Sequence, residues 1–328
     1  MSDLFETKEI KPMLIGAEED AFDSKDYLYE LKLDGERCVA YLDPIEGTEL
    51  RNKRNVKMLP KVPDLSDIHK HIKCRCILDG ELAVIKDGKP DFSEIQRRSL
   101  MSNPLKIELA AKNSPACFTA FDILYYQDHA TNLLPLIERK RLLEEVISSE
   151  SARFAKSRYI EEKGIAFYTL AEQQDLEGIV AKRKDSLYFF DKRTKDWIKC
   201  KNLKDEDFVV CGYIPKENGM TSIVLGQYQN GKLIYQGHVT LGVGGENFRR
   251  IKELPKRSQP PFSVPDGNAD ARWVEPSLVC TVKYMMRTAN GGMRQPVFKG
   301  LREDKEPKEC IFKEIKEGSM IGIKQLDR

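Results

Sequence analysis

Lys32 stands two residues before an Asp34-Gly35 pair and five before Arg37, in the stretch Tyr29-Glu30-Leu31-Lys32-Leu33-Asp34-Gly35-Glu36-Arg37. A lysine amine can bond covalently to a substrate, provided it is reached in its neutral form. Free lysine has a pKa near ~10.4, so holding one neutral at pH 7 costs roughly 4–5 kcal/mol. Nearby positive charge lowers that cost by disfavouring the ammonium. Upstream, Tyr27, Tyr29 and Leu31 alternate with Leu28, Glu30 and Lys32, which reads as a strand. Asp34-Gly35 is a hairpin signal, and Arg37-Cys38-Val39-Ala40-Tyr41-Leu42 reads as the returning strand. Taken alone, this stretch fits an ordinary surface hairpin equally well, so the rest of the chain has to decide.

At 328 residues the chain is expected to hold two domains with real cores. Its 41% hydrophobic and 32% charged content fits a globular protein. No apolar run approaches the ~18 residues of a membrane span, and no signal-peptide pattern opens the sequence, so a cytoplasmic protein without a membrane partner is expected, nucleoid-associated if bacterial. Net charge is only +2, yet the 54 Lys and Arg can segregate onto one face, which leaves nucleic acid open as a partner. The eight cysteines include no C-x-x-C pair. His69, His71, Cys74 and Cys76 could supply zinc-type ligands. They run straight into the strand-like Ile77-Leu78-Asp79-Gly80-Glu81-Leu82, and buried free cysteine is the simpler reading.

Residues 1–25 read as a lead-in. The Lys32 hairpin follows, then a charged loop, Glu49-Leu50-Arg51-Asn52-Lys53-Arg54-Asn55. A strand from Ile77 to Ile85 carries Glu81, and a helix begins near Asp91 with a Ser93/Gln96 capping box. Cys117 to Tyr125 is an apolar strand. Leu136 to Val146 is an amphipathic helix with Leu142, Leu143 and Val146 on its buried side, and a second helix lies between Gly164 and Leu176. Strands follow at 177–183 and 196–201, so the first domain is α+β. Asp205-Glu206-Asp207 reads as an acidic break, which sets the domains at 1–204 and 205–328. The second is strand-rich, with an Asn230-Gly231 hairpin and a short helix at 246–254, a composition compatible with an OB-fold β-barrel.

Seven motifs fall in a fixed order: Lys32-Leu33-Asp34-Gly35-Glu36-Arg37; Lys53-Arg54-Asn55; Leu78-Asp79-Gly80-Glu81-Leu82; Ala120-Phe121-Asp122-Ile123-Leu124; Glu177-Gly178-Ile179-Val180-Ala181-Lys182; Trp197-Ile198-Lys199-Cys200-Lys201; and Arg294 through Lys305. Over roughly residues 8 to 305 the chain closely resembles the compact bacterial or phage type of ATP-dependent DNA ligase, within the covalent nucleotidyltransferases. Each piece has a plain structural reading: Glu177-Gly178 a turn, Phe121 a core aromatic, Lys199 and Lys201 a solvated strand edge. Seven in sequence do not reduce to coincidence.

The resemblance implies a nucleotidyltransferase (adenylation) domain followed by an OB-fold domain. It implies that Lys32 attacks the α-phosphate of ATP to form lysyl-AMP, with Lys199 and Lys201 gripping that phosphate and crowding the amine with charge. AMP then passes to the 5′-phosphate of nicked duplex DNA, and the 3′-hydroxyl displaces it. Glu30 would read the adenine amino group beside Leu31, Phe121 would stack on the ring, Glu81 would hold the ribose, and Arg37 and Arg54 would contact sugar and phosphates. Glu81 and Glu177 would position Mg2+ or Mn2+. Arg54, Lys182 and Arg193 would meet DNA. Arg294, Arg302, Asp304 and Lys305 match the motif that orients the ATP pyrophosphate, which implies that the barrel domain closes over the nucleotide and then swings away.

The resemblance further implies a monomer, recruited by other DNA-repair or replication proteins. Lys53 departs from the serine frequent in the family, and Tyr126-Gln127-Asp128-His129 replaces its usual Asp-Gly. No large helical DNA-binding domain precedes the nucleotidyltransferase motifs. An NAD-dependent ligase is disfavoured by the absence of a four-cysteine zinc module and by the distal Arg-x-Asp-Lys. An mRNA guanylyltransferase, an RNA ligase and a non-catalytic nucleic-acid-binding barrel are the rival readings.

Overall fold

The computed structural model describes residues 3–287 and 292–312, and the chain divides into two compact units, Met1–Asn202 and Leu203–Arg328. The first unit opens with a short helix α1 (Leu4–Thr7) and strands β1 (Leu14–Glu18), β2 (Tyr27–Leu31), β3 (Glu36–Asp43) and β4 (Gly47–Asn52). After two 3-10 turns come β5 (Cys76–Lys86), β6 (Lys89–Pro90), α2 (Phe92–Leu100) and α3 (Pro104–Asn113). Strands β7 (Ala116–Tyr126) and β8 (His129–Ala130) lead to α4 (Leu136–Val146) and β9 (Phe154–Lys156). Then follow β10 (Tyr159–Glu161), α5 (Gly164–Gln173), β11 (Gly178–Arg183) and β12 (Arg193–Lys201).

These strands make two sheets. One has the order β1-β12-β11-β2-β10, and the other β4-β3-β5-β7-β8 with β6 and β9 added to β5 and β7. Because side chains alternate along a strand, each sheet divides its residues between two faces. Leu28, Val180 and Trp197 of the first sheet pack with Val39, Tyr41, Ile77, Phe121 and Leu124 of the second in a shared inner core. Tyr29, Ile179, Ala181, Ile198 and Cys200 face the other way, onto α5. Cys38, Ala40, Leu42, Leu78 and Phe118 form the outer core of the second sheet, with Ile95, Leu143 and Val146 from the helices.

Strands β2 and β3 are not a hairpin, contrary to the expectation from Asp34-Gly35. β2 pairs with β10 and β11, whereas β3 pairs with β4 and β5. Residues 32–35 therefore step from one sheet to the other. Gly35 is required by proximity, since a Cβ there would lie 2.1 Å from the Leu82 carbonyl oxygen. The α2 cap also differs from the Ser93/Gln96 box: Asp91 is the N-cap, accepting from the Glu94 N–H at 3.0 Å. Helix α3 adds to the elements expected from the sequence, and Asn103-Pro104 carries its signal, with Asn103 accepting from the Lys106 N–H. At the Tyr126–His129 turn, Gln127 and Asp128 both take positive φ, 46° and 64°, so these non-glycine residues hold the left-handed turn where the family's glycine is missing.

Helix α4 buries Arg139 and Lys140 as well as Leu136, Leu143 and Val146. Arg139 grips Asp122 of β7 through two hydrogen bonds of 2.7 and 2.9 Å, with both side chains fully buried. Burial alone would raise the Asp122 carboxyl, but the charge and hydrogen bonds of Arg139, together with the charges of Lys182 and Lys140, hold it below the usual range. Asp122→Ala would strand a buried guanidinium, and a loss of about 3–5 kcal/mol is expected in denaturant unfolding of the first unit. A loss within about 0.5 kcal/mol would show that the pair contributes nothing net.

The second unit contains β13 (Lys204–Pro215), β14 (Met220–Gln229), β15 (Lys232–Gly242), α6 (Glu246–Glu253), β16 (Arg272–Trp273), β17 (Val279–Tyr284) and β18 (Val297–Arg302). The sheet order is β15-β14-β13-β17-β18, with β16 also on β13. Phe208, Val210, Ile223, Leu225, Val239, Val282 and Ile251 fill its core. Asn230 and Gly231 make the tight β14–β15 turn with φ of 51° and 77°. Asp205-Glu206-Asp207 is no break but part of β13, paired with Lys283, Val282 and Thr281.

Candidate active site

Lys32 follows β2 directly, and its backbone N–H donates to the Gly178 carbonyl at 2.9 Å. That bond places the start of β11 beside the lysine, and Lys32 Nζ meets Glu177 Oε1 at 2.7 Å. Gly178 has φ +125°, and a Cβ there would come within 2.1 Å of the Cys200 carbonyl oxygen, so a glycine must follow Glu177 for β11 and β12 to close up. The Lys32 side chain is 21% exposed and that of Glu177 only 5%. The nucleophile candidate thus stands at a mouth, with its partner behind it.

A pocket opens between the two sheets, lined by Glu30, Lys32, Arg37, Glu81, Phe121 and Lys182, with Leu31 and Trp197 also on its wall. Seven residues expected at the site are therefore together: Glu30, Leu31, Lys32, Arg37, Glu81, Phe121 and Lys182. The alternation of β3 and β5 brings Arg37 opposite Glu81 and aims both with Asp79 toward the first sheet. Asp79 holds Arg37 by hydrogen bonds of 2.6 and 2.5 Å, and accepts a third from the Tyr188 hydroxyl at 2.6 Å. Phe121 is buried, with Lys182 Nζ 4.2 Å and the Arg37 guanidinium 4.4 Å from its ring centroid.

Lys182, expected to meet DNA, lies in the wall of the pocket. Its side chain is 3% exposed, lies 4.1 Å from the Trp197 ring centroid, and donates to Glu30 Oε2 at 3.0 Å. Burial pushes its ammonium down to about 8 despite the Glu30 charge. Glu30 is raised by burial, yet Lys140 and Lys182 together hold it below the usual carboxylate range. Side by side, a carboxylate acceptor and an ammonium donor complement the amino group and ring nitrogen on one edge of adenine.

Glu81 has no such compensation. Burial pushes it up to about 8, with Arg37 and Lys32 only partly opposing. From its ordinary 4.5 up to about 8 the unfolded chain releases this proton while the folded chain keeps it, so stability falls as pH rises through that window. Melting curves should therefore show Glu81→Gln losing less stability than the unaltered protein between about pH 5 and 8.5. Equal losses would mean that Glu81 ionises normally.

Lys199 and Lys201 lie on the same face of β12 but do not line the pocket. Glu18 of β1 bridges both, at 3.1 and 3.3 Å, and Glu18 has no motif to announce it. Arg54 is exposed on the turn after β4, where Asn52 Oδ1 accepts from the Arg54 and Val56 N–H groups, both at 3.0 Å. Arg193 is exposed at the start of β12 and donates to the Ile15 carbonyl at 2.6 Å. In the second unit, Asp207 accepts from Arg302 at 3.0 Å and Lys305 at 2.8 Å, while Asp304 takes two further bonds from Arg302. Arg294 pairs through its backbone with Met285 and Met286.

His69 bonds Thr48 and the Ser66 carbonyl, and His71 bonds Ser149. Among the described residues, no group of three or more His, Cys, Asp or Glu side chains is placed to hold a metal by itself. No described helix is long and apolar enough to cross a membrane.

Comparison with known proteins matches this geometry to one family. Residues 12–201, more than half of the chain, match the ATP dependent DNA ligase domain, and residues 216–305 match the ATP dependent DNA ligase C terminal region. The chain is 28% identical over 306 residues to the bifunctional non-homologous end joining protein LigD of Bacillus subtilis, covering 88% of this chain and 48% of that protein. It is also 28% identical to DNA ligase C1 of Mycolicibacterium smegmatis, over 93% of each chain. The solved mycobacterial DNA ligase D complexed with ATP and MES superposes with a TM-score of 0.54 at 26% identity, over 93% of this chain and 99% of that one. The chain thus spans about half or less of the length of the end-joining proteins it matches. With five of the seven motifs contributing residues to one pocket of the first unit and both family regions matched in order, this chain belongs to the ATP-dependent DNA ligase family.

Proposed function

We propose that the chain seals 5′-phosphate/3′-hydroxyl nicks in duplex DNA at the expense of ATP, through a covalent lysyl-AMP. The observation that carries this is Lys32 at the mouth of a pocket whose inner wall holds Glu30 and Phe121. Lys32 Nζ attacks the α-phosphorus, the N–P bond forms, the bond to the β-phosphate oxygen breaks, and pyrophosphate leaves. Glu177, at 2.7 Å, is the carboxylate placed to take the amine proton. The base lies toward Glu30 and Leu31 against Phe121, with the ribose near Glu81 and the phosphates toward Arg37, Lys199 and Lys201. AMP next moves from nitrogen to a 5′-phosphate oxygen, and the 3′-oxygen then attacks that phosphorus and expels AMP.

Glu81 and Glu177 are hard oxygen donors, and Mg2+ is usually held by one or two carboxylates together with substrate phosphates. The raised Glu81 marks a carboxylate short of positive charge, which fits such an ion. When bound, Mg2+ or Mn2+ would neutralise charge on the phosphates. The first unit, near residues 1–204, is the adenylation domain. The antiparallel second unit, near 205–328, is an OB-fold carrying Arg302 and Lys305 for the pyrophosphate. Arg54 and Arg193 contact DNA phosphates, and Lys182 is reassigned to the nucleotide. The protein acts as a monomer recruited by other repair or replication proteins, and the names of its relatives make end joining a setting to test.

The test is a panel of substrates with ATP and Mg2+: nicked DNA, the same nick with an RNA strand, and blunt or cohesive DNA ends. Sealing of the DNA nick is expected. Sealing confined to RNA would move the assignment to an RNA ligase, and no sealing of any substrate would overturn it.

A further inference from the structure

We propose that Lys140 is a positioning residue that sets the purine selectivity of the pocket by locking Glu30 against the strand that carries Phe121. The inference rests on the reading of Glu30 as the group that receives the base.

Glu30 lines the pocket and is 2% exposed. Each of its two oxygens meets one lysine: Lys182 reaches Oε2, and Lys140 reaches Oε1. Lys140 lies outside the pocket, on α4, with its side chain 2% exposed. Its ammonium also donates to the Phe121 carbonyl at 2.6 Å. One buried group therefore ties the carboxylate of β2 to the backbone of β7, and these are the two walls between which a base would lie. The aromatic ring of Tyr159, whose strand pairs with Glu30, closes over the same ammonium at 5.6 Å.

A carboxylate with one ammonium beside each oxygen, one of them donating a hydrogen bond to Oε2, keeps lone pairs free for a further donor. Ionised and fixed, it accepts the amino group of adenine and repels the carbonyl oxygen that guanine carries at that position. Protonated or swung aside, it discriminates poorly, because a carboxylic acid can donate to that carbonyl. Lys182 alone secures neither state. Burial leaves its own charge weakly held, at about 8, and it is shared between Glu30 and two aromatic rings. Lys140 supplies the second charge and the fixed direction.

The experiment measures covalent self-labelling with ATP and with GTP for the unaltered protein, Lys140→Met, Lys140→Arg, Glu30→Gln and the double variant. For Lys140→Met the KM for ATP is expected to rise about 10- to 100-fold, as for loss of one partner of a buried ion pair. The ATP-over-GTP preference should fall by a similar factor while kcat at saturating ATP stays within about threefold. Lys140→Arg should restore most of the preference, a rescue that a purely structural role would not tie to the base. The double variant should be no less selective than Glu30→Gln, because Lys140 acts through Glu30. It also removes both charges of the pair, and so carries the test if Lys140→Met does not fold. Unchanged KM and preference in Lys140→Met, or additive losses in the double variant, would overturn the inference alone. Glu30→Gln with unaltered preference would overturn the reading of Glu30 itself.

Discussion

Lys32→Ala is expected to abolish covalent labelling from ATP and to lower nick sealing by at least about 10⁴-fold, the scale of losing a nucleophile from a covalent mechanism. A nick supplied with AMP already on its 5′-phosphate should still be sealed, because that step uses the 3′-hydroxyl and not the amine. Alanine also leaves Glu177, 5% exposed, without its ion pair to Lys32, so some loss of stability is expected alongside. Lys32→Arg separates the two effects. A guanidinium can still pair with Glu177 but cannot be deprotonated in a protein, so labelling should vanish while the melting temperature holds. Labelling that survives in Lys32→Arg would show that another residue carries the nucleotide. Gel mobility of labelled protein and ligated product measures both.

Arg302→Ala is expected to lower self-adenylation by about 10²- to 10³-fold, the usual loss when one preorganised charge-stabilising group is removed. Sealing of the pre-adenylated nick should change by less than about threefold, since no pyrophosphate leaves in that step. The structure supports a trained rather than a wandering side chain: Asp304 takes two of the Arg302 hydrogen bonds and Asp207 a third. Asp207 holds Lys305 as well, so the two cations of the motif share one anchor. Equal losses in adenylation and sealing would mean that Arg302 supports the fold of the second unit or binds DNA, and would end its assignment to the pyrophosphate.

Much of the site was legible because the family motifs are local. Lys32, Glu81, Phe121 and Glu177 each lie in a stretch of about six residues, with Glu81 and Phe121 on strands β5 and β7, Lys32 directly after β2 and Glu177 directly before β11. Less legible was what joins those stretches. Asp34-Gly35 reads as a hairpin by turn chemistry, yet β2 pairs with strands more than a hundred residues away and β3 with β4 and with β5, about forty residues on, so tertiary pairing overrides the local signal. Helix α4 read as amphipathic on its apolar residues alone. Arg139 and Lys140 count as solvent-facing on any hydropathy scale, and it is the carboxylates of Asp122 and Glu30, with the carbonyls of Leu134, Ser186 and Phe121, that make their burial tolerable. The same reasoning applies to Lys182, buried against Glu30, and to Asp205-Glu206-Asp207, which reads as an acidic break yet pairs within β13.

Self-labelling tests the central claim most directly. The protein, first freed of any bound AMP with pyrophosphate, is incubated with a divalent cation and either α-labelled ATP or α-labelled GTP, then denatured and resolved on a gel. The account predicts a band from ATP and not from GTP, resistant to denaturant and absent in Lys32→Ala. A band from GTP would make the protein a guanylyltransferase, and no band from either nucleotide would mean that the pocket around Lys32 does not perform nucleotidyl transfer.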